Sequence, residues 1–203
     1  MTTALLSSAF FGPVQWYQKL YRYDRALIEH HDSYQKQTYR NRCLIASQGG
    51  VQALTVPVCS NEKEPHRIMI SDHGNWRHQH WQALQSAYGD SPFFIYYEDD
   101  LRPFFTDDRW DTLYDYNDAI CRKMCELLDI TPNITPTDHF MHEDELDGID
   151  DFRQVIHPKH PAADAQFKAK RYYQVFERKL GFLPNLSILD LLMNMGPESV
   201  FFL

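Results

Sequence analysis

Apolar residues alternate through much of the first third of the chain, then recur every three or four positions from Trp76 onward. The alternating part predicts strands at 25–29 and 42–46, with 51–58 returning as a β-rich run. Between the last two, Ser47-Gln48-Gly49-Gly50 is a turn, because paired glycines reach positive φ without steric cost. Pro57 puts the end of the return run at a sheet edge or strand terminus. A further strand is predicted at 67–70. Upstream, Pro13 opens a short helix whose apolar face carries Trp16, Tyr17, Leu20 and Tyr21.

The helical part begins with Asn75 as N-cap of a helix over 76–88. Ser91-Pro92 reads as a cap and first turn for a second helix through Leu101. Asp107 or Asp108 starts a third, with its stripe running from Trp110 through Leu113, Asn117, Ile120 and Met124 to Leu128. Two prolines make 131–137 a connector. Segments 152–156 and 172–176 read as candidate strands. Ser187-x-x-Asp190 resembles a capping box ahead of a last helix that Gly196 and Pro197 stop near Met195. Hairpin strands first, helices in the middle and a mixed end give an α+β fold: an N-terminal β-hairpin region packed with amphipathic helices. It is read as a single compact domain over 1–203, not a regular βαβ repeat.

Composition narrows the function. A net charge of −8 argues against a general nucleic-acid binder, whose affinity rests on neutralising phosphates. Residues 138–151 hold seven acids and no Lys or Arg, which reads as a solvated loop. No apolar run reaches transmembrane length. Residues 1–11 lack a basic leader region and a cleavage site, so the chain is expected to start near Met1 and stay cytoplasmic. The four cysteines form no disulfide framework and no C-x-x-C pair. With G-x-x-x-x-G-K-[ST], G-x-G-x-x-G and G-x-S-x-G all missing, no cofactor fingerprint remains. His78 and His80 point about 200° apart on a helix, so they cannot share an ion, and no metal site is expected.

Candidate chemistry concentrates at 34–42, Tyr-Gln-Lys-Gln-Thr-Tyr-Arg-Asn-Arg. If extended, it puts Lys36, Thr38, Arg40 and Arg42 on one face and Gln37, Tyr39 and Asn41 on the other. Three cations on one face call for an anion or for paired acids. The plainer reading is a solvated edge strand guarded by its charges. His80 falls on the apolar face of the 76–88 helix, as either a hydrogen-bonded core residue or a proton acceptor. Asn117 interrupts an apolar stripe and must find partners. Ser187 and Asp190 are explained by capping.

At these residues the chain resembles the WbqC-like protein family. The resemblance rests on Pro13-Val14-Gln15-Trp16-Tyr17, Ile28-Glu29, the 34–42 block and Leu54-Thr55-Val56-Pro57-Val58. It continues through Trp76-Arg77-His78-Gln79-His80-Trp81, then Ser86-Ala87-Tyr88-Gly89-Asp90-Ser91-Pro92-Phe93-Phe94, and ends on Asn185-Leu186-Ser187-Ile188-Leu189-Asp190-Leu191-Leu192. It implies a role in O-antigen-type surface polysaccharide biosynthesis: a transferase, with aminoacyl or glycine transfer to an activated sugar or sugar-linked acceptor as one form. No catalytic residues carry over with it. On chemical grounds, Lys36, Arg40 and Arg42 would hold an anionic or phosphorylated sugar, and Asn41 would bond a hydroxyl or acyl group. Trp76 and Tyr97 would offer flat surfaces, and His80 would be the general base. The alternative is a non-catalytic binding or assembly protein whose cations dock an acidic partner. Convergence of the cations with His80 in one concave pocket would favour catalysis; a flat patch would favour docking.

Overall fold

The computed structural model describes residues 1–59 and 67–203. In chain order its elements begin with β1 (Thr3–Ser7), α1 (Val14–Arg22) and β2 (Arg25–Glu29), then the hairpin β3 (Arg42–Ser47) and β4 (Gly50–Thr55). Next come α2 (Trp76–Tyr88), α3 (Phe94–Leu101), α4 (Pro103–Thr106) and α5 (Leu113–Leu127). The chain finishes with β5 (Ile134–Pro136), β6 (Ile149–Asp151), α6 (Glu177–Leu180) and α7 (Ile188–Met195).

The α+β class holds. Its centre, however, is a four-stranded parallel sheet in the order β5-β2-β1-β6. β1 and β2 pair in register from Thr3 opposite Arg25 to Ser7 opposite Glu29, with α1 as the crossover between them. A strand covered on both faces is apolar throughout and does not alternate. Ala4, Leu5 and Leu6 are fully buried, so β1 gave no period-two signal.

The hairpin forms as read. Gln48 and Gly49 make the two-residue loop, Gly50 sits at φ +116°, and Ser47 Oγ donates to the Gly50 carbonyl at 2.9 Å. The 76–88 helix also forms with the bounds read from its period. Other elements differ. The expected strand at 67–70 supplies only two isolated bridges, Val58 to Ile70 and Met69 to Thr112. Ser91 donates to the Tyr88 carbonyl at 2.6 Å instead of capping, and α3 starts at Phe94. The helix expected from Asp107 or Asp108 starts later: α5 begins after Thr112, whose hydroxyl accepts from the Asp115 amide at 3.1 Å. Segments 152–156 and 172–176 form no strand.

Ser187 caps α7 as expected, accepting from the Leu189 amide at 3.3 Å. Asp190 does not take part. Its fully buried carboxylate accepts from Tyr88 Oη at 3.0 Å, Tyr172 Oη at 2.7 Å and Gln174 Nε2 at 2.9 Å, tying α7 to α2 and to the 172–174 segment. Gly196 ends the helix at φ +54°, where a Cβ would stand 2.4 Å from the Phe93 ring. The core between sheet, hairpin and helices is aromatic, with Phe11 stacked on Phe105 at 5.6 Å. Among the described residues no helix is long and apolar enough to cross a membrane.

Candidate functional site

All four parallel strands deliver polar residues at their C-terminal ends. β1 ends at Ser7, β2 at Glu29, β6 at Asp151, and β5 leads into Thr137. β1 has β2 on one side and β6 on the other. Open parallel sheets bind ligands at such a divide, outside the carboxyl ends of the strands.

Glu29 is the anchor. Its side chain is wholly buried. One oxygen accepts from Thr137 Oγ1 and the His31 amide, both at 2.9 Å; the other accepts from Arg153 Nη1 at 2.9 Å and the Met141 amide at 3.1 Å. Arg153 also forks onto Asp151, with Nε at 3.0 and 3.1 Å and Nη2 at 2.8 Å, and gives Nη1 to the Met141 carbonyl at 2.8 Å. Its guanidinium lies 4.9 Å from the centre of the Phe140 ring. Burial pushes its pKa down, but Asp151 and Glu29 outweigh that and hold it above the ordinary value. With every nitrogen engaged, Arg153 is a strut between strands.

Arg40 is different. It is 6 % exposed, pairs with Asp32 through Nη2, and donates from the same nitrogen to Ser7 Oγ at 2.9 Å. Its Nε is buried without a partner. Burial pulls its pKa down to about 10, with Glu29 opposing and Arg153 assisting, so it stays charged at neutral pH. Asn117 fixes the loop from behind, donating to the Arg40 carbonyl at 2.8 Å and to Ser8 Oγ at 3.3 Å. Outside this set opens a cleft of about 640 Å³, whose walls include Asp32, Gln35, Phe140, Asp144 and Arg153. The acid-rich 138–151 loop is therefore not simply solvated. Asp151 holds Arg153, and Glu143 and Asp144 line the cleft.

The cations of the 34–42 block do not share a face. The segment turns before β3 begins, with Gln37 at φ +64°. Lys36 is exposed, Arg40 is buried at the strand ends, and Arg42 begins β3 half-buried, its Nε without a hydrogen bond. Asn41 stitches the loop to the segment after β4, donating to the Val56 carbonyl at 2.9 Å. Trp76 is buried and donates to the Ser71 carbonyl at 3.0 Å. Tyr97 is half-buried on α3, which packs against α4 and α7. His80 sits in an aromatic cage, its ring centre 5.1 Å from Trp76, 6.1 Å from Phe10 and 6.4 Å from Phe105. Burial drives its pKa down to about 4, with the Thr55 backbone acting the other way, and its Nδ1 has no partner. Of the seven residues picked out by sequence, only Arg40 lies among the strand-end groups.

The strand-end residues that sequence reasoning passed over are Ser7, Glu29, Asp32, Thr137, Asp151 and Arg153. Of these, Glu29 stood inside a family block. The rest are polar residues scattered from Ser7 to Arg153, and no local spacing links them.

Comparison with known sequences identifies the family. A model of the WbqC-like protein family matches residues 8–160, which hold Glu29, Asp32, Arg40, Asp151 and Arg153. The chain belongs to that family. It is also similar to the "Uncharacterized protein Rv1507c" of Mycobacterium tuberculosis (strain ATCC 25618 / H37Rv), 24% identical over 198 residues, or 87% of this chain and 86% of the relative. No solved structure matches.

Proposed function

We propose that this chain is a transferase of surface-polysaccharide assembly that holds an anionic, phosphate- or carboxylate-bearing sugar at the C-terminal edge of its parallel sheet. The supporting observation is Arg40: a buried, charged guanidinium with a spare donor, set where the strands diverge. Arg153 and Glu29 brace that wall, and the adjoining cleft has room for a sugar. Lys36, exposed on the same loop, follows Gln35 of the cleft wall and adds a cation to that segment. Aminoacyl or glycine transfer to a sugar-linked acceptor is the form of the reaction implied by the family resemblance. In this reading the chain acts as one unit, since core residues run from Ala4 to Leu203, and it works in the cytoplasm. His80 is assigned a packing role, because its aromatic cage separates it from the strand-end groups. The second reading, a docking protein, draws its support from exposed Lys36 alone, whereas Arg40 is recessed.

Thermal-shift screening against nucleotide sugars and sugar phosphates, followed by calorimetry, tests the proposal. Arg40→Lys keeps a charge beside Asp32 but loses the planar fork, and is expected to weaken binding by about 1.5–3 kcal/mol. Equal binding by Arg40→Lys, or no anionic sugar bound by the wild type, would overturn it.

A further inference from the structure

Between the ends of β1 and β6 lies a small pocket of about 10 Å³, lined by Ser7, Ser8, Thr38, Arg40, Arg153 and His157 among others. That is roughly the space of one water-sized oxygen. Its hydrogen-bonding inventory is one-sided. Arg153 has spent its nitrogens on Asp151, Glu29 and the Met141 carbonyl. Thr38 has spent its proton on the Gln35 carbonyl at 2.9 Å. Ser7 Oγ accepts from Arg40, and Ser8 Oγ accepts from Asn117, which leaves the Ser8 proton free. Arg40 Nε has no partner.

His157 completes the set. Its Nδ1 accepts from two backbone amides, Lys159 at 3.1 Å and His160 at 3.0 Å. A proton on Nδ1 would forfeit both bonds, so the neutral ring carries its hydrogen on Nε2. Burial, then the charges of His160, Arg40 and Lys159, keep the ring neutral at pH 7. Arg40 Nε, His157 Nε2 and Ser8 Oγ are thus unspent donors.

Building on the function proposed above, we infer that this pocket is a single-oxygen subsite. Arg40 and His157 donate there to one anionic oxygen of the substrate, His157 acting as a neutral hydrogen-bond donor and not as a base. Such fixed donors, set in a recess of single-oxygen size, favour an oxygen that carries or develops negative charge.

Calorimetry with inorganic phosphate and with acetate, on wild type, His157→Gln, His157→Ala and Arg40→Lys, tests the inference. Phosphate and acetate separate a phosphoryl from a carboxyl oxygen. The amide nitrogen of Gln reaches the place of Nε2, so His157→Gln is expected to bind within about twofold of wild type, and His157→Ala about tenfold more weakly. If His157→Ala fails to fold, His157→Asn, whose amide reaches only the Nδ1 place, replaces it with the same expected loss. Nitrogen-15 NMR, with the ring assigned by its absence in His157→Gln, should show the Nε2–H tautomer. An Nδ1–H tautomer, or Ala and Asn variants that bind like wild type, overturns the inference. Loss of binding in Arg40→Lys alone leaves the proposed function standing and removes His157 from it. A wild type that binds neither anion overturns both.

Discussion

Replacing Glu29 by Gln changes one atom's chemistry and little volume, yet it should destabilise the protein severely. All four partners of this buried carboxylate are donors: Thr137 Oγ1, two backbone amides and Arg153. A glutamine amide nitrogen, in either orientation, faces two of those donors with donors of its own. Two hydrogen bonds are lost and buried N–H or O–H groups are orphaned, at about 1–3 kcal/mol each. Arg153 also loses half of its ion pairing in a site where breaking a buried pair costs about 3–5 kcal/mol. These terms overlap, so the expected loss is about 3–5 kcal/mol, a large share of the 5–15 kcal/mol typical of a folded protein. Urea unfolding followed by circular dichroism should show a lowered midpoint with an unchanged slope, and the melting temperature should fall by about 10 °C. A loss under about 1 kcal/mol would refute the argument, because it would mean the donors find water or relax outward.

His80 titrates near 4 in the folded chain, against about 6.5 unfolded, so the unfolded state takes up its proton first. Stability should therefore fall as the pH drops from 6.5 to 4, by up to about 3 kcal/mol, and His80→Phe should flatten that dependence in urea titrations; an identical pH profile for both would contradict the reading. Gly196→Ala adds left-handed strain and a clash with the Phe93 ring, and should cost at least about 2 kcal/mol by urea unfolding, whereas a neutral result would mean the turn rearranges. Tyr172→Phe takes one of three donors from the buried Asp190 carboxylate and should cost about 1.5–3 kcal/mol; less than 0.5 kcal/mol would show that water replaces it.

The legible parts of the fold were those with local periods. The hairpin loop at Gln48-Gly49 and the bounds of α2 follow from turn chemistry and 3–4 spacing within single segments. β1 was not legible because burial on both faces erases alternation, and β5 and β6, at three residues each, are too short to show a period. The site suffered for the same reason. Arg40 was found because it lies in a dense polar block. Its neighbours Asp32, Ser7 and Arg153 meet it only once β1, β2 and β6 pair, and no residue spacing encodes that. The extended reading of 34–42 failed at Gln37, where left-handed φ turns the chain and scatters the three cations.

The position of β6 bears on how the chain is made. β1 leaves the ribosome first, fully apolar at its centre, and β2 soon covers one edge. The other edge waits for Ile149, which at ordinary elongation rates arrives roughly six to twenty-five seconds later. Until then the growing chain carries an unpaired apolar strand, the kind of edge that recruits other strands. A chain broken off before 149 keeps that edge open for good and lacks Asp151 and Arg153 as well. Such fragments are expected to aggregate.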